Sequence, residues 1–235
     1  MSLSVLAYNI HFGQKLELIS DWILSSTNKF DIICFQEFPL EKKSKFLKTF
    51  QDHDYEYEFA PSFIRKGKQH GELTLYKKND IKIIDSKVIH LGTNLLEKRF
   101  YKKNGEKSSL LTLIQYKNKK IILANSHLFS FALNSHRIKQ LITILEEIGG
   151  ISKKNTLPTI ILGDFNYTSI IRQKRLIDFM KSHKFANAYK THTHKLFFLG
   201  QQLDYVFYNN CSIKKILIDK IKYSDHYPVQ FKIEL

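Results

Sequence analysis

Cysteine is scarce. The 235-residue chain has two, Cys34 and Cys211, in no paired motif. That excludes a disulfide scaffold and fits a reducing compartment. Four prolines and nine glycines are spread thinly, so no flexible linker or low-complexity block is marked, and no internal repeat appears. The prolines, Pro39, Pro61, Pro158 and Pro228, sit at the edges of apolar segments. No apolar run approaches the ~20 residues that a bilayer-crossing helix needs. The stretch MSLSVLAYNIHFG has no basic region and only a short apolar run, so it is not read as a signal peptide. The expected location is cytoplasmic. Nothing marks a domain boundary, and 43% hydrophobic residues are enough for one core, so a single α/β domain over residues 1–235 is expected.

Negative charge is also in short supply. Asp and Glu total 22 against 37 Lys and Arg, for a formal net charge of +15. Such a balance favours polyanionic partners, nucleic acid first and anionic membrane second. The cations are 32 Lys and 5 Arg, and a lysine excess can equally reflect genome base composition.

The remaining pattern alternates strands and helices. Residues 4–8, 32–35, 55–59, 159–162, 203–208, 213–218 and 229–233 read as strands. Residues 73–76 and 81–88 read as a hairpin turning at Lys78-Asn79-Asp80, and 110–116 with 121–125 as a second. Residues 15–24, 40–50, 134–148 and 169–183 carry helical spacing, the third ended by Gly149-Gly150. Central hairpins flanked by β–α alternation suggest two mixed sheets with helices outside.

Polar residues with chemical potential stand at the ends of the apolar strands. Asn9 follows Val5-Leu6-Ala7-Tyr8, Glu37 follows the run from Ile32, and His127 follows the run from Ile121. Asp164 and Asn166 follow Thr159-Ile160-Ile161-Leu162-Gly163; Asp204 interrupts an apolar run, and Asp225-His226 precedes the last strand. Each has a plain structural alternative, as a turn residue, a solvated loop charge or a satisfied core histidine. Their joint occurrence at strand ends, where a rigid scaffold converges distant groups, favours a site.

In company, AYNIHFG, CFQEF, NSHL, LGDFN, LDYVF and YSDHYPV resemble the endonuclease/exonuclease/phosphatase superfamily, over residues 9–229. The resemblance implies a four-layer α/β/β/α sandwich of two mixed β-sheets with helices on the outer faces. It implies a Mg²⁺ site (Mn²⁺ as substitute) at Glu37 with Asn9 and Asp225. It further implies that Asp164 orients or deprotonates the attacking water, that Asn166 and His127 hold phosphate oxygens, and that His226 donates to the transition state from a ring fixed by Asp204. Hard oxygen donors suit Mg²⁺, and imidazolium donors suit a developing phosphorane charge.

Secondary candidates carry open alternatives. Glu72, after Gly71, either supports the first histidine or is a solvated hairpin charge. Arg99 either approaches phosphate or stays on the surface. Thr191-His192-Thr193-His194 contains a His-x-His pair that invites a zinc reading, but His194 or Thr193 lining the substrate groove is preferred.

For substrate, lysine clusters at 42–43, 66–68, 77–78, 102–103 and 119–120 are placed to track a phosphate backbone, or are ordinary solvated lysines. Phe12, Phe63, Phe129, Phe131, Phe197 and Phe198 are candidates for base stacking, or for the core. Asn125-Ser126-His127-Leu128 departs from the Tyr-x-Pro-Asn pattern of the abasic-site subgroup. The expected activity is therefore a Mg²⁺-dependent nuclease or DNA-end-processing phosphodiesterase, with nucleic acid as partner (DNA ahead of RNA), acting as a monomer without an obligate protein partner. A sphingomyelinase-like or inositol-phosphate phosphodiesterase is the alternative, membrane lipid being its substrate, because residues 128–133 are unusually apolar. A non-catalytic nucleic-acid-binding module is disfavoured, since every expected catalytic position is filled.

Overall fold

The computed structural model describes residues 1–25, 30–101, 103–152, 156–195 and 201–235. Phe197, Phe198 and Lys102 lie outside the described residues. The strands are β1 (Ser2–Asn9), β2 (Ile32–Pro39), β3 (Tyr55–Arg65), β4 (Lys68–Lys77), β5 (Ile81–His90), β6 (Lys103–Gly105), β7 (Ser108–Tyr116), β8 (Lys119–His127), β9 (Thr159–Asp164), β10 (Ala186–Asn187), β11 (Asp204–Asn209), β12 (Ser212–Ile218) and β13 (Val229–Glu234). The α-helices are α1 (Leu16–Ser25), α2 (Lys43–Gln51), α3 (Leu95–Tyr101), α4 (Asn134–Ile151) and α5 (Ile170–Ser182).

Two mixed sheets result, in the orders β12-β13-β1-β2-β4-β3-β6 and β10-β11-β9-β8-β7-β5. Two of the pairings are parallel, β1 with β2 and β8 with β9. The period-2 alternation of a strand explains the layering. In β1, Leu3, Val5 and Ala7 face the other sheet, where they meet Ile121, Leu123, Ile160 and Leu162, alongside Val229 and Phe231 of the neighbouring β13. Leu6 and Tyr8 point the opposite way, onto Leu16, Ile19 and Ile23 of α1 and Phe46, Leu47 and Phe50 of α2. The second sheet repeats the arrangement: Ile122, Ala124 and Ile161 pack under Leu141, Ile144 and Ile148 of α4 and Leu176 and Met180 of α5. The expected α/β/β/α sandwich is therefore present. Both faces of the central strands are buried, which is why they read as near-continuous apolar runs.

A buried polar brace crosses the inter-sheet layer. Asn125 Nδ2 reaches Phe35 O (3.1 Å), Leu73 O (3.1 Å) and Thr74 Oγ1 (3.2 Å), and Asn125 Oδ1 accepts from Gln36 Nε2 at 2.7 Å. One residue of the second sheet is thus tied to two strands of the first.

Several expectations need correction. Residues 73–76 and 81–88 do not form a hairpin: β4 pairs with β2 and β3, whereas β5 pairs with β7 in the other sheet. The Lys78-Asn79-Asp80 turn carries the chain from one sheet to the other. Gly149-Gly150 does not end α4, which runs to Ile151; packing of Ile148 outweighs a helix-propensity cost of about 1 kcal/mol per glycine. Of the apolar residues at helical spacing in α4, Ile142 is 39% exposed. No helix among the described residues is long and apolar enough to cross a membrane.

Candidate active site

Each sheet contributes one β–α–β unit, β1-α1-β2 and β8-α4-β9, and the site lies at the carboxyl ends of these parallel strands, where α/β folds bind ligands. Asn9 ends β1, His127 ends β8 and Asp164 ends β9, the last two being direct register partners. Asp204 opens β11 opposite Asp164.

Glu37 was expected just after its strand. Instead β2 continues to Pro39 through a register shift between Phe35 and Phe38, and Glu37 itself has φ 62°. A bulge with a left-handed non-glycine residue re-aims one side chain, at a cost of roughly 1–3 kcal/mol that surrounding structure must offset. Asn166 is also left-handed, at φ 56°. Gly163, at φ 128°, meets a stricter demand: a Cβ there would lie 2.0 Å from Ser126 O.

The side chains converge on Asp164. Its Oδ2 accepts from Asn9 Nδ2 at 3.0 Å and stands 3.6 Å from His127 Nε2 and 3.7 Å from His226 Nε2. Its Oδ1 accepts from the Asn166 backbone N–H at 3.0 Å. Glu37 Oε1 lies 3.9 Å from His127 Nε2. His226 Nδ1 bonds Asp204 Oδ2 at 2.8 Å, with both residues buried. Asp204 is itself located by Thr193, whose Oγ1 accepts from its backbone N–H at 3.0 Å. Asp225 Oδ2 is 2.6 Å from His11 Nδ1 and 3.6 Å from His194 Nε2. Asn166 gives one of its two amide N–H groups to Leu128 O at 3.2 Å.

Burial and neighbouring charge set the protonation states. For Asp164, burial is the largest influence and pushes its carboxyl up to about 6 although the nearby His226 opposes it. For His226, burial would lower the value, but the Asp204 charge and hydrogen bond, with Asp164 and Asp225, raise it to about 10. Burial also acts upward on Asp225, yet hydrogen bonds from His11 and His194 hold it far below the usual carboxylate range. Neutral water therefore finds an imidazolium, a poised base and a fixed anion side by side.

Glu72 is fully buried, so the solvated alternative is excluded. Its Oε1 faces His127 Nδ1 at 4.0 Å, too long for a hydrogen bond, and Oε2 accepts from Ser108 Oγ. Burial, partly opposed by Ser108 and Lys107, raises its carboxyl to about 8. Arg99 is exposed on α3. His192 is exposed while His194 is buried, so the His-x-His pair does not face one cation. Phe63 and Phe129 are buried, and Phe131 is 47% exposed.

Lys107 and His11 escape the sequence reading, and His194, expected only to line the substrate groove, stands against Asp225. Lys107, 2% exposed, places Nζ 2.9 Å from His127 Nε2 and 4.6 Å from the Phe63 ring centroid. His11 and His194 flank Asp225. One lysine among 32 gives no signal of burial, and the two histidines lie far from Asp225 in sequence. Beside this cluster, Phe12 contacts the rings of His11, Phe63 and His70, and the Arg65 guanidinium lies 3.8 Å from its centroid.

With this geometry in hand, the sequence profile of the Endonuclease/Exonuclease/phosphatase family matches residues 6–226, nearly the whole chain. The chain belongs to this family. Its members are hydrolases acting on phosphoester bonds, and this phosphoesterase shares their fold with several solved structures. The human Nocturnin catalytic domain with bound sulfate superposes with a TM-score of 0.80 at 19% identity, covering 99% of this chain and 94% of that one. ANGEL2, a 2′,3′-cyclic phosphatase, gives 0.78 at 14% identity over 99% and 95%. A mannosyl-6-phosphatase from Bacteroides thetaiotaomicron gives 0.76 at 16% identity over 99% and 100%. A search of curated protein sequences finds no match.

Proposed function

We propose that this phosphoesterase is a Mg²⁺-dependent phosphodiester hydrolase acting on nucleic acid, with DNA ahead of RNA, by attack of water at phosphorus. The observation that carries the reading is one buried carboxylate oxygen, Asp164 Oδ2, held by Asn9 and flanked by the Nε2 atoms of His127 and His226. With its carboxyl near 6, Asp164 is ionised at neutral pH and basic enough to take a proton from water. His226, protonated and fixed by Asp204, donates from Nε2 to the phosphate. Asn166 has its second amide N–H for a phosphate oxygen.

Lys107 changes the role of His127. An ammonium at 2.9 Å from His127 Nε2 donates to it, which places the imidazole proton on Nδ1, toward Glu72. Lys107 then supplies the cation beside the phosphate and His127 positions it.

The donor chemistry fits a hard cation. Four carboxylates, Glu37, Asp164, Asp204 and Asp225, converge in a chain of net charge +15, and at least one counter-cation is needed beyond Lys107 and His226. Glu37, Asp225 and the Asn9 amide oxygen would hold Mg²⁺, with Mn²⁺ as substitute. Bound there, the ion offsets charge on the phosphate and leaving oxygen.

The nucleic-acid assignment rests on the basic balance and on the Phe12–Arg65 wall, whose planar faces suit base stacking. Exposed Leu95 (80%), Leu133 (64%) and Phe131 (47%) favour a second reading, a lipid phosphodiester. Plasmid DNA and sphingomyelin vesicles, each assayed with and without EDTA, decide between them. DNA cleavage that EDTA abolishes and Mg²⁺ restores is expected. Turnover of lipid alone selects the second reading, and turnover of either substrate in EDTA refutes the metal requirement.

A further inference from the structure

His194, Asp225 and His226 each present one donor atom, and the three atoms all lie within 4.8 Å of one another. His194 and His226 are paired through their backbones and their rings meet edge to face, with centroids 4.5 Å apart at 83°. The pair is thus built into the scaffold. His194 Nε2 already stands 3.6 Å from Asp225 Oδ2. In a tetrahedral zinc site with bonds of about 2.0–2.2 Å, donors sit roughly 3.3–3.5 Å apart. Against a widest separation within 4.8 Å, closing the set takes up to about 1.5 Å of approach between donors.

We infer that His194, Asp225 and His226 form a binding site for a zinc-class divalent cation, distinct in ligand chemistry from the oxygen-donor Mg²⁺ site. Two imidazoles and one carboxylate favour Zn²⁺ or Co²⁺ over Mg²⁺, which takes hard oxygens. The outer partners of a histidine–zinc centre are also in place. Asp204 bonds the far nitrogen of His226 at 2.8 Å, and His11 Nδ1 contacts the Asp225 carboxylate at 2.6 Å. Such carboxylate–histidine–metal relays fix the ring and strengthen ligation. Asp225 is common to both cation sites. A cation ligated through His226 Nε2 displaces the Nε2 proton to solvent and removes the donor assigned above to the phosphate, so zinc-class metals inhibit. That consequence rests on the proposed function, whereas the binding does not.

The test titrates metal-free full-length protein with Co²⁺ and reads visible absorption. The expected result is saturation at one equivalent with the spectrum of a tetrahedral, nitrogen-bearing site, retained in a large excess of Mg²⁺. His194→Gln should weaken binding about tenfold or more, while His192→Gln should leave it unchanged. Side-chain nitrogen NMR of the wild-type protein under Zn²⁺ titration supplies a readout that needs no variant: the Nε2 signals of His194 and His226 should shift together. An octahedral oxygen-type cobalt spectrum, loss of the spectrum in Mg²⁺, equal affinity in His194→Gln, or shifts confined to other histidines overturns the proposal. DNA hydrolysis in zinc-free Mg²⁺ buffer tests the catalytic reading separately.

Discussion

Asp204→Asn offers the sharpest test of the acid–base assignment. The substitution preserves shape and a hydrogen-bond partner for His226 Nδ1 but removes the charge 2.8 Å away. Two unit charges about 4 Å apart at an effective dielectric of about 20 interact by roughly 4 kcal/mol. His226 is raised from 6.5 to about 10, and at 1.36 kcal/mol per pH unit that corresponds to about 5 kcal/mol favouring the imidazolium. That net figure already includes the opposing effect of burial, so the raising influences together exceed it, with the Asp204 charge first among them. Without it, burial acts on His226 opposed only by Asp164 and Asp225, and the group should titrate near or below its ordinary value. The assay is initial rate against pH for DNA hydrolysis with Mg²⁺. The wild-type alkaline limb should fall through about 10, and in the variant it should fall two or more pH units lower. At pH 8 the variant should be at least about tenfold slower, with a smaller deficit at pH 6. Stability follows the same sign. A raised imidazole contributes fully below 6.5 and loses its contribution as pH rises through about 10. Wild type should therefore melt higher than the variant at pH 6, with the gap closing toward pH 10. An alkaline limb in the same place in both proteins refutes the pairing.

Other outcomes are equally specific. Asp164→Asn should cost about 10²-fold or more in kcat with the fold intact; the wild-type acid limb should lie at or below about 6, since a bound cation only favours the carboxylate. Near-wild-type turnover in that variant removes Asp164 from the role of base. Lys107→Met should lower kcat by about 10²-fold, the loss typical of one electrostatic donor, and should also lower the thermal midpoint, because the buried carboxylates beside it lose a compensating charge. Full activity in that variant would remove Lys107 from the role of cation beside the phosphate. Gly163→Ala, whose Cβ would lie 2.0 Å from Ser126 O, should separate β8 from β9 locally and destabilise by more than about 2 kcal/mol, read as a drop in denaturation midpoint; an unchanged midpoint contradicts the close approach.

The layered architecture was readable because strands buried on both faces leave continuous apolar runs, and because the longest helix carries a clean 3.6 period. The candidate site residues were readable for a related reason: Glu37, His127 and Asp164 are chemically out of place against the apolar segments that deliver them. What was hidden depends on tertiary placement. Lys78-Asn79-Asp80 makes a plausible turn whether the next strand returns to the same sheet or crosses to the other. The bulge that aims Glu37 depends on pairing with β4, not on local sequence. Lys107 looks like any solvated lysine until β7 carries it beside His127. His11 becomes a neighbour of Asp225 only after β13 docks beside β1, and His194 only when its segment pairs with the backbone around His226.

The Asn125 brace has a consequence for how defects in this enzyme will present. Half of the reactive groups ride on one sheet and half on the other, so their separation is set by how the two sheets are clamped, not by any helix or loop near phosphate. Reacting groups displaced by 1 Å can slow a reaction about a hundredfold. A substitution at Asn125 or Gln36, which touches no substrate, should therefore combine a stability loss, from buried polar groups left unpaired, with poor turnover from two half-sites that no longer face each other squarely.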